Sequence, residues 1–102
     1  NSVLAFHAEC MMKRPEGVKC SEVTTGQVYR IYQAWCRLNN NGFAKTAREF
    51  RTTLARYYKT DFTSMTIRRS NGNVYRDLLL RPEALQEYTG FWSSPEDDFL
   101  KD

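Results

Sequence analysis

An α+β fold that is mostly helical is predicted for this chain of 102 residues by two kinds of observation. Two long stretches carry apolar residues at helical spacing, each behind a threonine that can cap a helix. A later run, TIRRSNGNVYRDLLL at positions 66–80, places Asn71-Gly72 between two strand-like segments, the strongest short-range signal for a β-hairpin. The length is that of one domain, and so small a domain has little room for an enzyme's cleft beside its single core.

The first helix is predicted over Val3–Met12 from its apolar spacing. Its core face is expected to comprise Leu4, His7, Ala8 and Met11, with Val3, Phe6 and Cys10 flanking that face. Pro15 and Gly17 both oppose continuation of the helix. The run VKCSEV at positions 18–23 is then predicted as a short extended segment.

The second predicted helix carries the clearest apolar stripe of the sequence. Thr24 or Thr25 can cap its start, and Asn39 and Gly42 lie in a run suited to ending a helix. The stripe consists of residues at i, i+3, i+4, i+7 and i+10, namely Val28, Ile31, Tyr32, Trp35 and Leu38.

A third helix is predicted within FAKTAREFRTTLARYYK at positions 43–59. Thr46 is the expected N-cap, and Glu49 three residues later fits a capping box. The expected core face is Ala47, Phe50, Leu54, Tyr57 and Tyr58. The opposite face is basic, with small residues between the charges, and consists of Lys45, Arg48, Thr52, Ala55, Arg56 and Lys59, with Arg51 on its flank. A helix that enters a DNA groove needs such a face, because cations meet phosphates at its margins and short side chains let bases approach.

The hairpin is predicted from alternation on both sides of Asn71-Gly72. In DFTSMTIRR (61–69), Met65 and Ile67 share one face while Thr66 and Arg68 share the other. After the turn, NVYRDLLL (73–80) places Arg76 among leucines, so a bend or bulge is expected there. A short helix then begins at Pro82, and the remaining acidic and aromatic segment is a tail. The predicted organisation is one domain over residues 1–90 and a tail over 91–102.

Three helices followed by a hairpin is the element order of a winged helix-turn-helix. In that architecture the third helix lies in the major groove of DNA and the hairpin, or wing, contacts the neighbouring backbone or groove. The sequence therefore predicts a domain that binds duplex DNA. Its expected contact residues are Lys45, Arg48, Arg51, Thr52, Arg56, Lys59, Arg68, Arg69, Asn71, Tyr75 and Arg76. Arg48 and Thr52 are the candidates for base edges, and the other cations for phosphates.

The charge distribution also favours binding to a polyanion. Lys and Arg exceed Asp and Glu by fifteen to twelve, which gives a net charge of +3. Between Lys45 and Arg81 there are nine basic residues against three acidic ones, whereas six of the twelve acids follow residue 82. Such asymmetry indicates one strongly positive face.

Other chemistries have weaker support in the sequence. His7 and Cys10 form the only close pair of potential zinc ligands, because Cys20 and Cys36 are each alone. No metal, cofactor or catalytic residue is therefore predicted. Three cysteines indicate a reducing cytoplasm rather than a secreted disulfide framework. No apolar run is long enough to cross a membrane, and the start of the chain at Asn1 does not resemble a signal peptide.

A family resemblance rests on the stretch GQVYRIYQAWCRLNNNGFAKTAREFRTTL. Its pattern residues are Tyr29, Tyr32, Trp35, Cys36, Gly42, Phe50 and Leu54. The stretch resembles the C-terminal domain of phage and plasmid primases and of poxvirus-type primase-helicases, and the wing resembles, more distantly, that of the regulatory-factor-X winged helices. The resemblance implies a domain of a mobile-element replication protein that binds DNA near the origin or helps to load the helicase, with the helicase and primase domains of its parent chain as partners. It implies no helicase or primase chemistry here, because the phosphate-binding Gly-Lys-Ser/Thr motif is missing from this sequence.

An alternative function is docking to protein. The same fold could contact its own helicase ring or a loader through the acidic tail and Phe91-Trp92. The small net charge favours this alternative, as does Asp77, which stands near the wing where the family often has glycine.

Overall fold

The computed structural model describes residues 1–17, 22–39 and 42–88, which contain four helices and two small antiparallel sheets. In chain order the elements are α1 (Ser2–Cys10), β1 (Met11–Lys13), α2 (Thr25–Leu38), α3 (Ala47–Tyr57), β2 (Thr66–Arg69), β3 (Gly72–Tyr75), β4 (Leu78–Leu80) and α4 (Pro82–Tyr88). Strand β2 pairs with β3, and β1 pairs with β4. The predicted α+β class is confirmed. Most of the predicted extended segment at 18–23 and the predicted tail at 91–102 lie outside the described residues.

Capping boxes begin both long helices. The Thr24 side chain accepts a hydrogen bond from the Gln27 backbone NH, and the Gln27 side chain accepts one from Thr24. Thr46 and Glu49 make the same reciprocal pair at the start of α3, as predicted. Each box satisfies two backbone donors that a helix start would otherwise leave unpaired.

An aromatic cluster at the meeting point of three helices forms the centre of the core. Phe6 of α1, Tyr32 of α2 and Phe50 of α3 are fully buried. Their ring centroids are separated by 5.5 Å (Phe6 to Tyr32), 6.0 Å (Phe6 to Phe50) and 4.7 Å (Tyr32 to Phe50). These are favourable distances for aromatic pairs, so one ring from each helix fixes the relative positions of all three.

Of the core face predicted for α1, only Met11 is buried. Val3, Phe6 and Cys10 are buried, whereas Ala8 is exposed and His7 is only half-buried. Apolar residues lie on several sides of this helix, so their spacing could not select one face. The helix also ends at Cys10 instead of Met12, because Met11 pairs with Leu80 in the β1–β4 sheet.

The core face predicted for α3 extends too far. Phe50 and Leu54 are buried, but Tyr57 and Tyr58 are 55% and 41% exposed. Both rings pack against His7 at centroid distances of 5.2 and 5.4 Å. They therefore cover the edge of α1 at the end of α3 and do not enter the core.

The hairpin turn lies one residue earlier than predicted. Arg69 pairs with Gly72, so Ser70 and Asn71 form the loop, and only Gly72 in this turn has a positive φ, of 129°. The first strand starts at Thr66 and not at Asp61, because residues 62–65 form turns.

The predicted bend at Arg76 is confirmed, and it separates β3 from β4. Arg14 holds this bend: its side chain donates hydrogen bonds of 3.0 Å to the carbonyls of Tyr75 and Arg76, and its backbone NH donates one of 2.8 Å to Asp77. Strand β4 then leaves the hairpin to pair with β1.

Candidate nucleic-acid interface

The start of α3 is fixed by two phenols of α2. The Tyr29 hydroxyl donates a hydrogen bond of 2.7 Å to the backbone carbonyl of Lys45, and the backbone NH of Lys45 donates one of 2.9 Å to the Tyr32 hydroxyl. The same Tyr32 hydroxyl lies 2.7 Å from the Ser2 hydroxyl of α1. The two tyrosines of the Tyr-x-x-Tyr pattern therefore set the position from which α3 projects.

The outward face of α3 forms one wall of an open groove, which we call the basic groove. Its lining residues are Arg48, Arg51, Thr52, Ala55, Arg56, Lys59, Thr60, Asp61, Phe62 and Asn73. Four cations and one carboxylate are therefore present in this lining. The first seven residues come from α3 and its C-terminal turn, and Asn73 comes from β3. The structure thus brings together the five α3 residues predicted from helical spacing as contacts, namely Arg48, Arg51, Thr52, Arg56 and Lys59.

Asp61, the only acidic residue of this lining, is hydrogen-bonded to the protein backbone. Asp61 accepts a hydrogen bond of 2.8 Å from the backbone NH of Ser64 through its side chain. This bond stabilises the turn that leads from α3 to β2. It ties the carboxylate to the turn, while the cations extend from the neighbouring helix.

Arg51 lies against an aromatic wall of the basic groove. Its guanidinium carbon is 5.1 Å from the centroid of the Phe62 ring, a cation–π distance. The Phe62 ring in turn meets the Tyr75 ring edge to face, at 6.2 Å between centroids. This stacking orders the arginine before any ligand arrives, which lowers the entropic cost of a contact by its side chain.

Tyr75, which was predicted to contact nucleic acid, is buried in the hairpin. Its side chain is only 2% exposed, because the β2–β3 register places it opposite Thr66 on the inner side of the hairpin. Burial raises the pKa of the Tyr75 hydroxyl, an effect opposed in part by the nearby Arg51 guanidinium. Tyr75 therefore supports the groove wall from behind, through its contact with Phe62.

The two neighbouring arginines of β2 lie on opposite faces of the hairpin. Arg68 pairs with Asn73, and directly opposed residues share a face, so Arg68 belongs to the face whose Asn73 lines the basic groove. Arg69 belongs to the other face. There it donates hydrogen bonds of 3.1 and 3.4 Å to the two carboxylate oxygens of Glu22.

Glu22 is a shared acceptor for two arginines. Arg14 reaches the same carboxylate at 3.4 Å. The hydrogen bond from Arg69 is the main cause that lowers the pKa of Glu22. Much of the charge of Arg69 is thus already neutralised within the protein.

Three other predicted contact residues are exposed but lie outside the lining of the basic groove. Lys45 precedes α3, Asn71 lies at the hairpin loop and Arg76 lies at the bend after β3. Conversely, Phe62 and Asn73 line the groove but are not among the contact residues predicted from the sequence. Asn73 could have been found by pairing β2 with β3 in the correct register, since it stands opposite Arg68. No local signal identified Phe62.

Lys59 occupies a backbone position that normally favours glycine. It follows the last turn of α3 with φ 56°, and the hydrogen bonds from Lys59 to the Arg56 carbonyl and from Thr60 to the Ala55 carbonyl, both 3.0 Å, complete a Schellman motif. A non-glycine residue in this conformation costs about 1 kcal/mol. A lysine here places a cation in the basic groove at the expense of stability.

We expect Lys59→Gly to stabilise the fold and to weaken DNA binding. The free energy of unfolding should rise by about 1 kcal/mol, because glycine adopts positive φ without strain. The slope of log K against log salt for duplex binding should become shallower by about 0.9, the value for one lost phosphate contact. Thermal melting and duplex titration measure the two effects.

Lys59→Gln is the matched control, because it removes the charge but keeps a side chain at positive φ. It should reduce binding as much as glycine does without raising stability. Equal stability of the two variants would contradict the strain argument, and unchanged binding in both would remove Lys59 from the interface.

The cysteines provide no reactive or metal-binding centre in the described part of the chain. Cys10 and Cys36 are buried free thiols, and burial raises the pKa of Cys10 to about 12. Among residues 1–17, 22–39 and 42–88, no three His, Cys, Asp or Glu side chains are grouped as metal ligands. None of the described helices is long and apolar enough to cross a membrane.

Comparison with protein families gives one match over most of the chain. A family model described as Poxvirus D5 protein-like matches residues 1–89. This range includes every described element from α1 to α4. No curated protein and no solved structure gives a significant match.

Proposed function

The chain belongs to the Poxvirus D5 protein-like family, and we propose that it is the winged-helix domain by which a replication primase/helicase protein binds duplex DNA. The family suggests a replication-related protein of primase or helicase type. In the proposed architecture α2 and α3 are the helix-turn-helix and the β2–β3 hairpin is the wing. The domain spans residues 1–90, residues 91–102 form a tail, and the protein acts in the cytoplasm.

The basic groove is the observation that carries this proposal. Four cations of one helix and its C-terminal turn line it against a single carboxylate, and that carboxylate already accepts a backbone hydrogen bond. Thr52 and Ala55 lie between the cations, and their short side chains leave space for bases to approach the helix. This combination matches what a recognition helix requires in the major groove.

Each side of the interface has a distinct role in the proposal. Arg48 and Thr52 read base edges, and Arg51, Arg56 and Lys59 contact phosphates from the helix. Arg68 contacts phosphate from the wing, on the face that it shares with Asn73. Lys45, Asn71 and Arg76 lie outside the groove and add contacts only to a longer stretch of DNA. Arg69 contributes little, because it is already paired with Glu22.

Titration of a labelled duplex at several salt concentrations tests the proposal. Four phosphate contacts, by Arg51, Arg56, Lys59 and Arg68, predict that log K falls with log salt at a slope of about −3.6. Fluorescence anisotropy measures both affinity and slope. Absence of binding at low salt, or a slope near zero, would contradict the proposal.

Protein docking is a second candidate function, and one specific observation favours it. Phe43 is fully exposed and the adjacent end of α2 exposes 57% of Leu38. Phe43 also borders a shallow groove lined by Gln33, Cys36 and Arg37, and exposed aromatic side chains are frequent anchors of protein–protein contacts. A helicase domain of the parent chain or a loader could bind here without using the basic groove.

A further inference from the structure

A smaller pocket lies between the end of α3 and the β1–β4 sheet, and we call it the turn pocket. It encloses about 490 Å³, which is within the range of pockets that bind small molecules. Its apolar part is formed by Tyr58, Met65 and Leu78, and its polar part by Lys13, Thr60, Ser64 and Asp77.

The turn pocket adjoins the basic groove at the end of α3. Thr60 lines both, and the neighbouring residues Tyr58 and Lys59 line one each. Asp61 of the basic groove accepts its hydrogen bond of 2.8 Å from the backbone NH of Ser64, which lines the turn pocket. A polymer that is bound in the basic groove can therefore continue into the turn pocket.

Tyr58 gives the turn pocket a partly exposed aromatic ring in a fixed position. The residue is 41% exposed, and its hydroxyl is hydrogen-bonded to Nε2 of His7. The ring also meets those of His7 and Tyr57 edge to face, at centroid distances of 5.4 and 5.1 Å. Unpaired bases of any sequence stack on aromatic side chains. Because the contacts with His7 and Tyr57 already orient this ring, stacking on it costs little side-chain entropy.

The charges of the turn pocket suit the edge of a base better than a phosphate. Lys13 and Asp77 are exposed, and neither forms an ion pair among the residues that the structure describes. A carboxylate repels phosphate, but it accepts hydrogen bonds from the amino groups of bases, and a lysine donates to their carbonyl oxygens. Since the Watson–Crick edges of a duplex are already paired, only an unpaired base can offer such an edge.

Backbone hydrogen bonds hold the polar and apolar walls of the turn pocket in place. The NH of Arg14 donates one of 2.8 Å to the carbonyl of Asp77, and the NH of Arg76 donates one of 2.9 Å to the carbonyl of Met65. The pocket is therefore formed before a ligand binds.

We propose that the turn pocket binds an unpaired nucleotide of the DNA whose duplex part lies in the basic groove. The base stacks on Tyr58 and presents its edge to Lys13 and Asp77. The domain consequently prefers a junction between duplex and single strand to an uninterrupted duplex. This inference rests on the proposed function for the duplex contact and adds to it a second binding site.

Anisotropy titration of the full chain with three matched DNAs tests the inference. The first is a blunt duplex, and the second carries a short single-stranded extension on one strand or the other. The third carries the same extensions with abasic nucleotides, which keep the phosphates but lack the bases. For one of the two strands, the natural extension should be bound about 5- to 150-fold more tightly than the abasic one, the range for stacking one base.

Equal affinity for the natural and abasic extensions on both strands would overturn the inference. A blunt duplex that does not bind at low salt would instead contradict the proposed function, and the comparison of the two extensions would still decide whether the turn pocket binds a base.

Substitutions at the end of α3 locate the effect. Tyr58→Ala should remove the advantage of the natural extension and leave the affinity for the blunt duplex unchanged, whereas Tyr58→Phe keeps the ring and should retain most of the advantage. Tyr57→Ala is the matched control, because Tyr57 is 55% exposed and packs on His7 but does not line the turn pocket. Equal losses in the two alanine variants, or no loss in either, would also overturn the inference.

A nucleoside monophosphate distinguishes DNA from a free nucleotide as the source of the base. It has no further phosphates for the basic groove, so it should displace the labelled DNA far less than the same concentration of unlabelled extended duplex does. Equal displacement would indicate a site for free nucleotides and would contradict the inference.

Discussion

Duplex binding should fall sharply, and lose about a quarter of its salt dependence, when Arg48 and Arg56 are both replaced by glutamine. Both side chains are exposed and line the basic groove. Loss of Arg48 should cost about 1–3 kcal/mol at a specific site if it reads a base edge. Arg56 is the phosphate contact of this pair, so the slope of log K against log salt should become shallower by about 0.9. Anisotropy titration of the same duplex at several salt concentrations measures both quantities.

A second double variant separates this local effect from the change in net charge. Lys13→Gln with Arg81→Gln also removes two exposed cations, but neither residue lines the basic groove. For this variant the slope of log K against log salt should equal that of the natural chain. Equal losses in both variants would indicate nonspecific attraction to a basic protein and would contradict the assigned interface. Far-UV circular dichroism should be unchanged in both, because glutamine is a good helix former at the two α3 positions and because Lys13 and Arg81 are exposed residues outside the helices.

Phe50→Ala should produce the largest loss of stability among single substitutions. Phe50 is fully buried and lies 4.7 Å from Tyr32 and 6.0 Å from Phe6 between ring centroids. Truncation of a buried phenylalanine leaves a cavity and costs about 3–5 kcal/mol. Since whole domains are stable by about 5–15 kcal/mol, this substitution would remove a large share of the total stability. Urea denaturation followed by circular dichroism measures the change.

Phe43→Ala is the matched control for this prediction. It is the same substitution seven residues earlier, at a position that is 100% exposed. Its free energy of unfolding should change by about 0.5 kcal/mol at most. A large loss in both variants would show that Phe43 is buried in solution, and a small loss in both would contradict the role of Phe50 at the junction of α1, α2 and α3.

The helices and the basic face of α3 could be predicted because their signals are local. A capping box lies within four residues, and helical spacing assigns Arg48, Thr52 and Arg56 to one side whatever the rest of the chain does. The same spacing failed for Tyr57 and Tyr58, since a helix pattern does not say where the core beneath it ends. It failed for α1 because several of its sides are apolar.

Which hairpin residues are accessible depends on contacts between residues that are far apart in the sequence. Whether Arg69 is available to DNA is decided by Glu22, a residue 47 positions away that precedes α2. The inward position of Tyr75 follows from its pairing with Thr66 and from packing on Phe62. Alternation within one strand gives two faces, but only the folded chain determines which of them is covered.

Pairing of β1 with β4 has a consequence for how the molecule folds. Met11 stands opposite Leu80, so this three-residue ladder joins parts of the chain that are 69 positions apart. Bringing such distant segments together is entropically costly and gains little until the intervening elements are compact. The β1–β4 ladder should consequently be among the last contacts to form and the first to open, and its amides should exchange with deuterium sooner than those in the middle of α2.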